Sequence, residues 1–216
     1  AGLAIADRMN TQVRGMNVAV RNAGDAISMA QVAEGGLSTM NDMLQRMREL
    51  AVQASNAPNS VGASGDIAKL DNEYKQLGAE LSRMLDATQF NGEKILNTSA
   101  SYVFQVGANA GAENQITIAN GDISLSGNAA FSAVASGGAS ATLITGTASA
   151  NTANIAALDA AISAVNDRRA SLGALQSRFE NTISYLRTAS ENQSAARGRI
   201  MDADFAAETA NLSRTQ

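Results

Sequence analysis

Apolar residues recur along the first fifty-odd positions at alternating steps of four and three. This spacing is the heptad pattern of a helix that buries a narrow stripe against other helices. The step from Ala30 to Ala33 alone breaks the alternation, which indicates a stammer that overwinds the helix locally. At 1.5 Å per residue such a helix would be about 75 Å long, so the pattern predicts a rod. The stripe consists of Met9, Val13, Met16, Val20, Ala23, Ile27, Ala30, Ala33, Leu37, Met40, Leu44, Met47, Ala51 and Ala54.

Two further segments carry the same helical spacing. The first runs from Ile67 to Thr88 and is expected to end at Asn91-Gly92, where the glycine can adopt the positive φ that terminates a helix. The second begins near Ile155 and continues to Ile200. Because the order is helix, helix, insertion, helix, both chain ends are expected at the same end of the rod.

The segment from about Ser101 to Ala150 has a different character, rich in Ser, Thr, Gly, Ala and Asn. Tyr102, Phe104 and Val106 alternate with other residues, and Ile116 and Ile118 follow across a glycine-containing loop, which predicts a β-hairpin. The rest is expected to be either a small β subdomain or a mobile loop. After the hairpin, Ile123 and Leu125 indicate another strand, and residues 127–150 offer few apolar side chains that could anchor the segment.

The predicted fold class is therefore mainly α. We expect an elongated antiparallel helical rod, a coiled-coil-like bundle of long helices, with a β-hairpin and a small β or irregular insertion. Residues 1–119 would form the rod's N-terminal part, 120–151 a variable surface-exposed insertion, and 152–216 the C-terminal helix.

Composition removes most catalytic and nucleic-acid functions. The chain contains no Cys and no His, so it lacks thiolate chemistry, the usual zinc and copper ligands, and the commonest acid–base side chain near neutral pH. A net charge of -4 gives no basic footprint for phosphate. No apolar run approaches the length needed to span a bilayer. We therefore expect no enzyme, cofactor or metal site, and no nucleic-acid or membrane partner.

Five sequence blocks follow one another along the chain: QRMRELAVQ at 45–53, TQFNG at 88–92, FQVGAN at 104–109, SLGALQSRF at 171–179 and DADFAAE at 202–208. In sequence and in order these blocks resemble the bacterial flagellin family. The resemblance implies a secreted, extracellular structural protein that polymerises into the flagellar filament for swimming. It also implies an export chaperone as partner. From the resemblance we expect that the terminal segments that drive polymerisation in the family are not contained in this chain, whose two ends both fall in helical sequence.

A candidate protein-contact site lies in the first of these blocks. Met43, Arg46, Leu50 and Gln53 form a row beside the buried stripe, and an arginine flanked by apolar residues is typical of a protein contact. The simpler interpretation is the solvated face of a long helix. The resemblance assigns this block to packing between subunits and to recognition by the vertebrate Toll-like receptor that senses flagellin. By this resemblance Arg46, Leu50 and Glu73 occupy the positions of receptor contact, and we expect all three to lie on one exposed side of the rod.

Other polar residues are expected to have structural roles. Arg168 and Arg169 are expected to cover apolar surface and to pair with carboxylates such as Asp71, Glu73 or Glu80. Near the C-terminal end, a calcium or catalytic site is disfavoured because two of the carboxylates point to different helix faces, and subunit contact is preferred. Those carboxylates are Asp202, Asp204 and Glu208.

Two alternative functions stay open at this point. A hook–filament junction protein would share the terminal helices of flagellin, although the intact sequence blocks favour flagellin. A cell-surface glycan-binding or adhesin module would use the middle segment, where Tyr102, Phe104 and Phe131 could stack on a sugar. These three aromatics are expected instead to form a small core.

Overall fold

The computed structural model describes residues 1–56, 58–59, 61–62, 64–143 and 148–216, and it is mainly helical. Helix α1 spans Gly2–Ala54, α2 spans Asp66–Ala87 and α5 spans Thr152–Thr215, with 53, 22 and 64 residues respectively. The two short helices between them are α3, Asn120–Ile123, and α4, Ala129–Val134. The predicted succession of three long helices around a different middle segment is confirmed.

Two small antiparallel strand pairs complete the described elements. Strand β1, Gln89–Phe90, pairs with β2, Glu93–Lys94, and strand β3, Tyr102–Gln105, pairs with β4, Gln115–Ile118. In the second pair Tyr102 lies opposite Ile118 and Phe104 opposite Ile116, which is the predicted hairpin. Single turns of 3₁₀-helix occupy Ala112–Asn114 and Ala148–Asn151.

The predicted end of α2 is wrong by several residues. The helix ends at Ala87, and Thr88 caps it in an extended conformation. Asn91 and Gly92 have φ of 53° and 79° and form the two-residue turn between β1 and β2. Positive φ at both central residues is the requirement of the tight hairpin turn that Asn-Gly favours. The Asn-Gly pair is therefore a hairpin signal rather than a helix stop.

The structure divides into two compact units. The first consists of residues 1–28, 102–118 and 175–216. In it, the ring of Phe104 meets Phe179 of α5 edge to face, with centroids 5.7 Å apart and planes at 77°. The Asn22 side chain donates to the Gln105 carbonyl at 3.0 Å. The hairpin is thus held against the helices of its own unit by an aromatic contact and by a hydrogen bond to a strand carbonyl.

The second unit consists of residues 29–101 and 119–174. It contains a core in which α1 contributes Met and Leu side chains, α2 contributes Ile67, Tyr74 and Leu81, and α5 contributes Leu158, Val165 and Leu172, all buried. Arg48 on α1 pairs with Asp159 on α5 at 2.7 Å. Helix α1 in this unit therefore has neighbours on two sides, α2 and α5.

The expectation for residues 120–150 is wrong in two respects. Ile123 ends the short helix α3, so there is no strand at Ile123 and Leu125. Residues 127–150, expected to offer few apolar anchors, bury Phe131, Val134, Ala135, Ala141 and Leu143, while residues 144–147 lie outside the described part of the chain. The low complexity of this segment conceals its anchors, because each run of apolar residues is too short to establish a helical or a strand period.

Arg168 and Arg169 pair with groups other than those expected. Arg169 forms an ion pair with Glu34 of α1 at 2.8 Å, and Arg168 Nε donates to the backbone carbonyl of Ser124 at 2.8 Å. Ser124 is buried and its hydroxyl donates to the Leu96 carbonyl at 3.1 Å. The error arises because sequence spacing does not specify which neighbouring helix a given face of α5 meets.

Two adjacent glycines in α1 provide a test of this packing. A Cβ at Gly36 would lie 2.7 Å from Thr88 Oγ1, which is held by donating to the Met84 carbonyl, whereas a Cβ at Gly35 would meet nothing within 4 Å. We expect Gly35→Ala to raise the free energy of unfolding by roughly 0.5–1 kcal/mol, because alanine favours the helix more than glycine does. Gly36→Ala should lower the free energy of unfolding by about 1–3 kcal/mol through overpacking. Urea unfolding of both variants measures this, and equal effects of the same sign would contradict the close approach of Thr88.

Candidate protein-contact site

The candidate site is built around an arginine of α1 that meets a glutamate of α2. Arg46 Nε donates to Glu73 Oε1 at 2.8 Å, and Arg46 Nη2 donates to Glu73 Oε2 at 3.1 Å. The remaining terminal nitrogen, Nη1, donates to Glu49 Oε2 at 3.1 Å. The side chains of Arg46 and Glu73 are each 47% exposed, so this bidentate pair lies at the surface of its unit. Arg46 and Glu73 thus share one exposed side, while their role in recognition stays a prediction.

Hydrogen bonding dominates the electrostatics of this pair. The hydrogen bond from Arg46 holds the pKa of the Glu73 carboxyl below its usual range, and the Glu73 and Glu49 carboxylates raise the pKa of the Arg46 guanidinium. Arginine and glutamate are thus both ionised at neutral pH. A guanidinium carries five N–H donors, of which three are used here. The two that are left can donate to a carbonyl or carboxylate of a partner.

Helical spacing explains the local arrangement. Arg46 and Glu49 are three residues apart on α1, which places them on neighbouring positions of one face. Glu73 precedes Tyr74, whose side chain is fully buried, so the backbone of α2 turns Glu73 outward toward Arg46. Sequence reasoning missed Glu49 as a partner of Arg46, although the three-residue spacing of opposite charges was a signal for it.

Leu50 does not belong to this surface. Its relative exposure is 0%, so the prediction that it shares the exposed side with Arg46 is wrong. A narrow two-in-seven stripe suffices for a helix with one partner, but α1 is flanked by α2 and α5 in this unit and buries a wider face. Leu50 lies inside that wider face together with Met47 and Ala51. The exposed apolar residue near the site is Val52, at 48%.

A shallow hollow adjoins the ion pair on α1. It is lined by Gln45, Arg48, Glu49, Val52 and Gln53. The Asp159 carboxylate raises the pKa of the Arg48 guanidinium by accepting its hydrogen bond. The surface around Arg46 therefore combines ionised groups, amides and one exposed aliphatic side chain, a mixture that suits a protein partner.

Two aromatic residues of the glycan hypothesis are engaged in packing. Phe131 is 1% exposed, and the partly exposed Phe104 contacts Phe179 edge to face. Because Phe104 and Phe131 belong to different compact units, the prediction that Tyr102, Phe104 and Phe131 form one small core is wrong. Asp202, Asp204 and Glu208 are exposed on α5. In the described part of the chain no group of three or more acidic side chains is placed to hold a metal ion. None of the described helices combines the length and apolarity needed to cross a membrane.

Comparison with known proteins identifies the family. Residues 1–101 match the bacterial flagellin N-terminal helical region and residues 155–216 match the bacterial flagellin C-terminal helical region. The chain belongs to the bacterial flagellin family. Members of this family are structural proteins rather than enzymes, and they polymerise with one another into the extracellular filament of the bacterial flagellum.

Individual flagellins are similar to this chain in sequence along its whole length. It is 44% identical to a flagellin of Halalkalibacterium halodurans over 216 residues, covering 100% of this chain and 75% of the relative. It is 37% identical over 227 residues to the flagellar filament 33 kDa core protein of Treponema phagedenis, covering 100% and 76%. A crystal structure of Bacillus cereus flagellin matches with a TM-score of 0.61 at 28% identity, covering 77% of this chain and 88% of the other.

The burial of Leu50 predicts an effect on folding. Leu50→Ala should destabilise the protein by about 2–5 kcal/mol, because a fully buried leucine leaves a cavity. The matched control is Val52→Ala on the same helix, where an exposed aliphatic side chain should change stability by no more than about 0.5 kcal/mol. Chemical denaturation of both variants measures the difference. An effect of Leu50→Ala as small as that of Val52→Ala would contradict its place in the core.

The Arg46–Glu73 pair predicts a pH effect. The pKa of Glu73 is lower in the folded chain than in the unfolded chain, so the pair stabilises above the ordinary glutamate pKa, and this stability is lost as pH falls through the folded pKa. In Arg46→Gln, an NMR titration should find the Glu73 pKa closer to its usual value.

Arg83→Gln is the matched control for that titration. Arg83 pairs with Glu80 on α2 and lowers the pKa of that carboxyl in the same way. The control should therefore raise the Glu80 pKa and leave the Glu73 pKa unchanged. If the Glu73 pKa were identical in the protein and in Arg46→Gln, the hydrogen-bonded pair would not exist in solution.

Proposed function

We propose that this flagellin serves swimming motility and that its Arg46–Glu73 surface is the part recognised by the vertebrate flagellin-sensing Toll-like receptor. The observation that carries the proposal is the half-exposed bidentate pair between α1 and α2. An arginine with unused donors beside an exposed carboxylate gives a partner both a donor and an acceptor in fixed geometry. The same surface, with Arg48 and Val52, is available for packing between subunits.

Other partners follow from family membership. A secreted subunit that polymerises outside the cell needs to be kept from assembling before export, so an export chaperone is proposed as a partner. The exposed apolar side chains near both chain ends, Leu3, Phe205 and Leu212, are the surface that such a chaperone would cover. They are also the surface that neighbouring subunits would bury in the filament.

Reporter cells that express the receptor provide the test. In Arg46→Ala and Glu73→Ala, the protein concentration that gives half-maximal signal should rise by about 30-fold, the effect of losing a central interface residue. The double variant should lose much less than the product of the two single effects, because both act through one pair. Arg83→Ala is the matched control, since it removes another exposed, glutamate-paired arginine of the same unit.

Folding is measured on the same samples. The single variants should keep the melting temperature close to that of the unmodified protein, because surface ion pairs contribute little to stability. A signal that is unchanged in Arg46→Ala, with unchanged unfolding, would exclude this surface as the recognition site. A signal equally reduced in Arg83→Ala would show that loss of charge alone, rather than this pair, is responsible.

A further inference from the structure

One face of α2 carries the segment Asn128–Leu143, named here the strap. The strap begins at Asn128, which caps α4 by accepting from the Phe131 amide at 3.0 Å, and it then crosses α2. The contacting residues of α2 are Asp71, Tyr74, Gly78 and Ser82. Their spacing of three, four and four places them on one helical face.

The described polar contacts between this face and the strap all use the backbone of the strap. The Leu143 amide donates to Asp71 Oδ1 at 2.7 Å, and the Tyr74 hydroxyl donates to the Ser140 carbonyl at 2.7 Å. The Ser136 amide is shared between the Gly78 carbonyl at 3.2 Å and the Ser82 hydroxyl at 3.1 Å. No strap side chain takes part in these contacts, so the hydrogen bonds need no particular side chain at Ser136, Ser140 or Leu143.

The groups that make these contacts on α2 are built into the helix. Asp71 is 5% exposed and Tyr74 is fully buried, and burial raises the pKa of the Tyr74 hydroxyl, which stays a donor. A Cβ at Gly78 would lie only 3.3 Å from the Val134 carbonyl, so the glycine allows the strap backbone to approach closely. Buried carboxylate and phenol groups need hydrogen-bond partners, and the strap backbone supplies them.

Side chains of the strap contribute packing near its two ends. Phe131, Val134 and Leu143 are each no more than 1% exposed. They lie before and after the stretch 135–142, in which the side chains of Ser136 and Thr142 are exposed, Ala135 and Ala141 are buried, and a Cβ at Gly138 would clash with the Ser132 carbonyl. Large apolar side chains therefore fix the ends of the strap, and backbone hydrogen bonds together with small buried residues fix its middle.

We propose that Asp71, Tyr74, Gly78 and Ser82 form a peptide-docking site on α2 that recognises the backbone of the strap and tolerates different side chains at the strap positions Ser136, Ser140 and Thr142. Helix α2 lies within residues 1–101, which match the N-terminal flagellin region, whereas the strap lies between the two matched regions. The site therefore lies within a region that matches the family, and its occupant lies outside both matched regions. Its ligand class is a turn-rich peptide that offers a carbonyl to Tyr74 and an amide to Asp71.

Amide hydrogen exchange on the whole chain tests the proposal. Asp71→Ala and Tyr74→Phe should each raise the exchange rate of strap amides by roughly fivefold to tenfold, since each removes one hydrogen bond. A strap with Ser136→Ala, Ser140→Ala and Thr142→Ala combined should exchange at the original rate. The opposite pattern, with a sensitive strap sequence and insensitive α2 residues, would overturn the proposal.

Lys75→Ala is the matched control for Asp71. Lys75 pairs with the other oxygen of Asp71 at 2.8 Å. Its replacement should leave strap exchange unchanged, and acceleration equal to that in Asp71→Ala would show that the ion pair, not the backbone hydrogen bond, protects the strap. Exchange of α5 amides between residues 158 and 172, read in the same samples, distinguishes strap release from general unfolding of the unit. Faster exchange in both places would overturn the proposal for that variant, and Tyr74→Phe, which keeps the ring, then decides alone.

Discussion

The width of the buried stripe on α1 is the constraint on which the unit of residues 29–101 and 119–174 depends. In this unit α1 packs against α2 on one side and against α5 on the other, as its ion pairs to Glu73 and Asp159 show. A helix with two neighbours buries about three residues in seven rather than two, and Leu50 is the residue that this widening takes from the surface. The polar residues that border the widened stripe are left at the two edges, where they face carboxylates of the neighbouring helices.

The character of the candidate site follows from that geometry. Arg46 stands at the edge between α1 and α2, so its guanidinium can reach Glu73 while its outer donors stay available. Arg48 stands at the edge toward α5 and is held by Asp159. Two arginines only two residues apart on one helix therefore have different roles, because they lie on opposite sides of the buried stripe. A surface made in this way is held by ion pairs between helices without being buried.

The sequence predicted those parts of the fold in which the spacing of apolar residues follows the period of a single helix or strand. The three long helices follow from steps of three and four, and the hairpin from the alternation of Tyr102 and Phe104 with Ile116 and Ile118 opposite. Arg46 and Glu73 could be placed on one exposed side by the same reasoning. Leu50 could not be placed, since the number of neighbours that α1 meets is a tertiary property. The partners of Arg168 and Arg169 were missed for the same reason.

The contacts between the strap and α2 could not be predicted from the sequence pattern, for a different reason. Its hydrogen bonds to α2 are made by backbone atoms, which every non-proline residue possesses, so the sequence of residues 135–142 contains little record of them. The sequence signal is found instead on α2, where Asp71 and Tyr74 are buried polar residues on an apolar face. Gly78 lies within the same helix and lowers its stability by about 1 kcal/mol relative to alanine. The helix alone does not explain these three residues, but their contacts with the backbone of the strap do. On α2 the two buried polar residues and the glycine therefore mark the face that receives the strap.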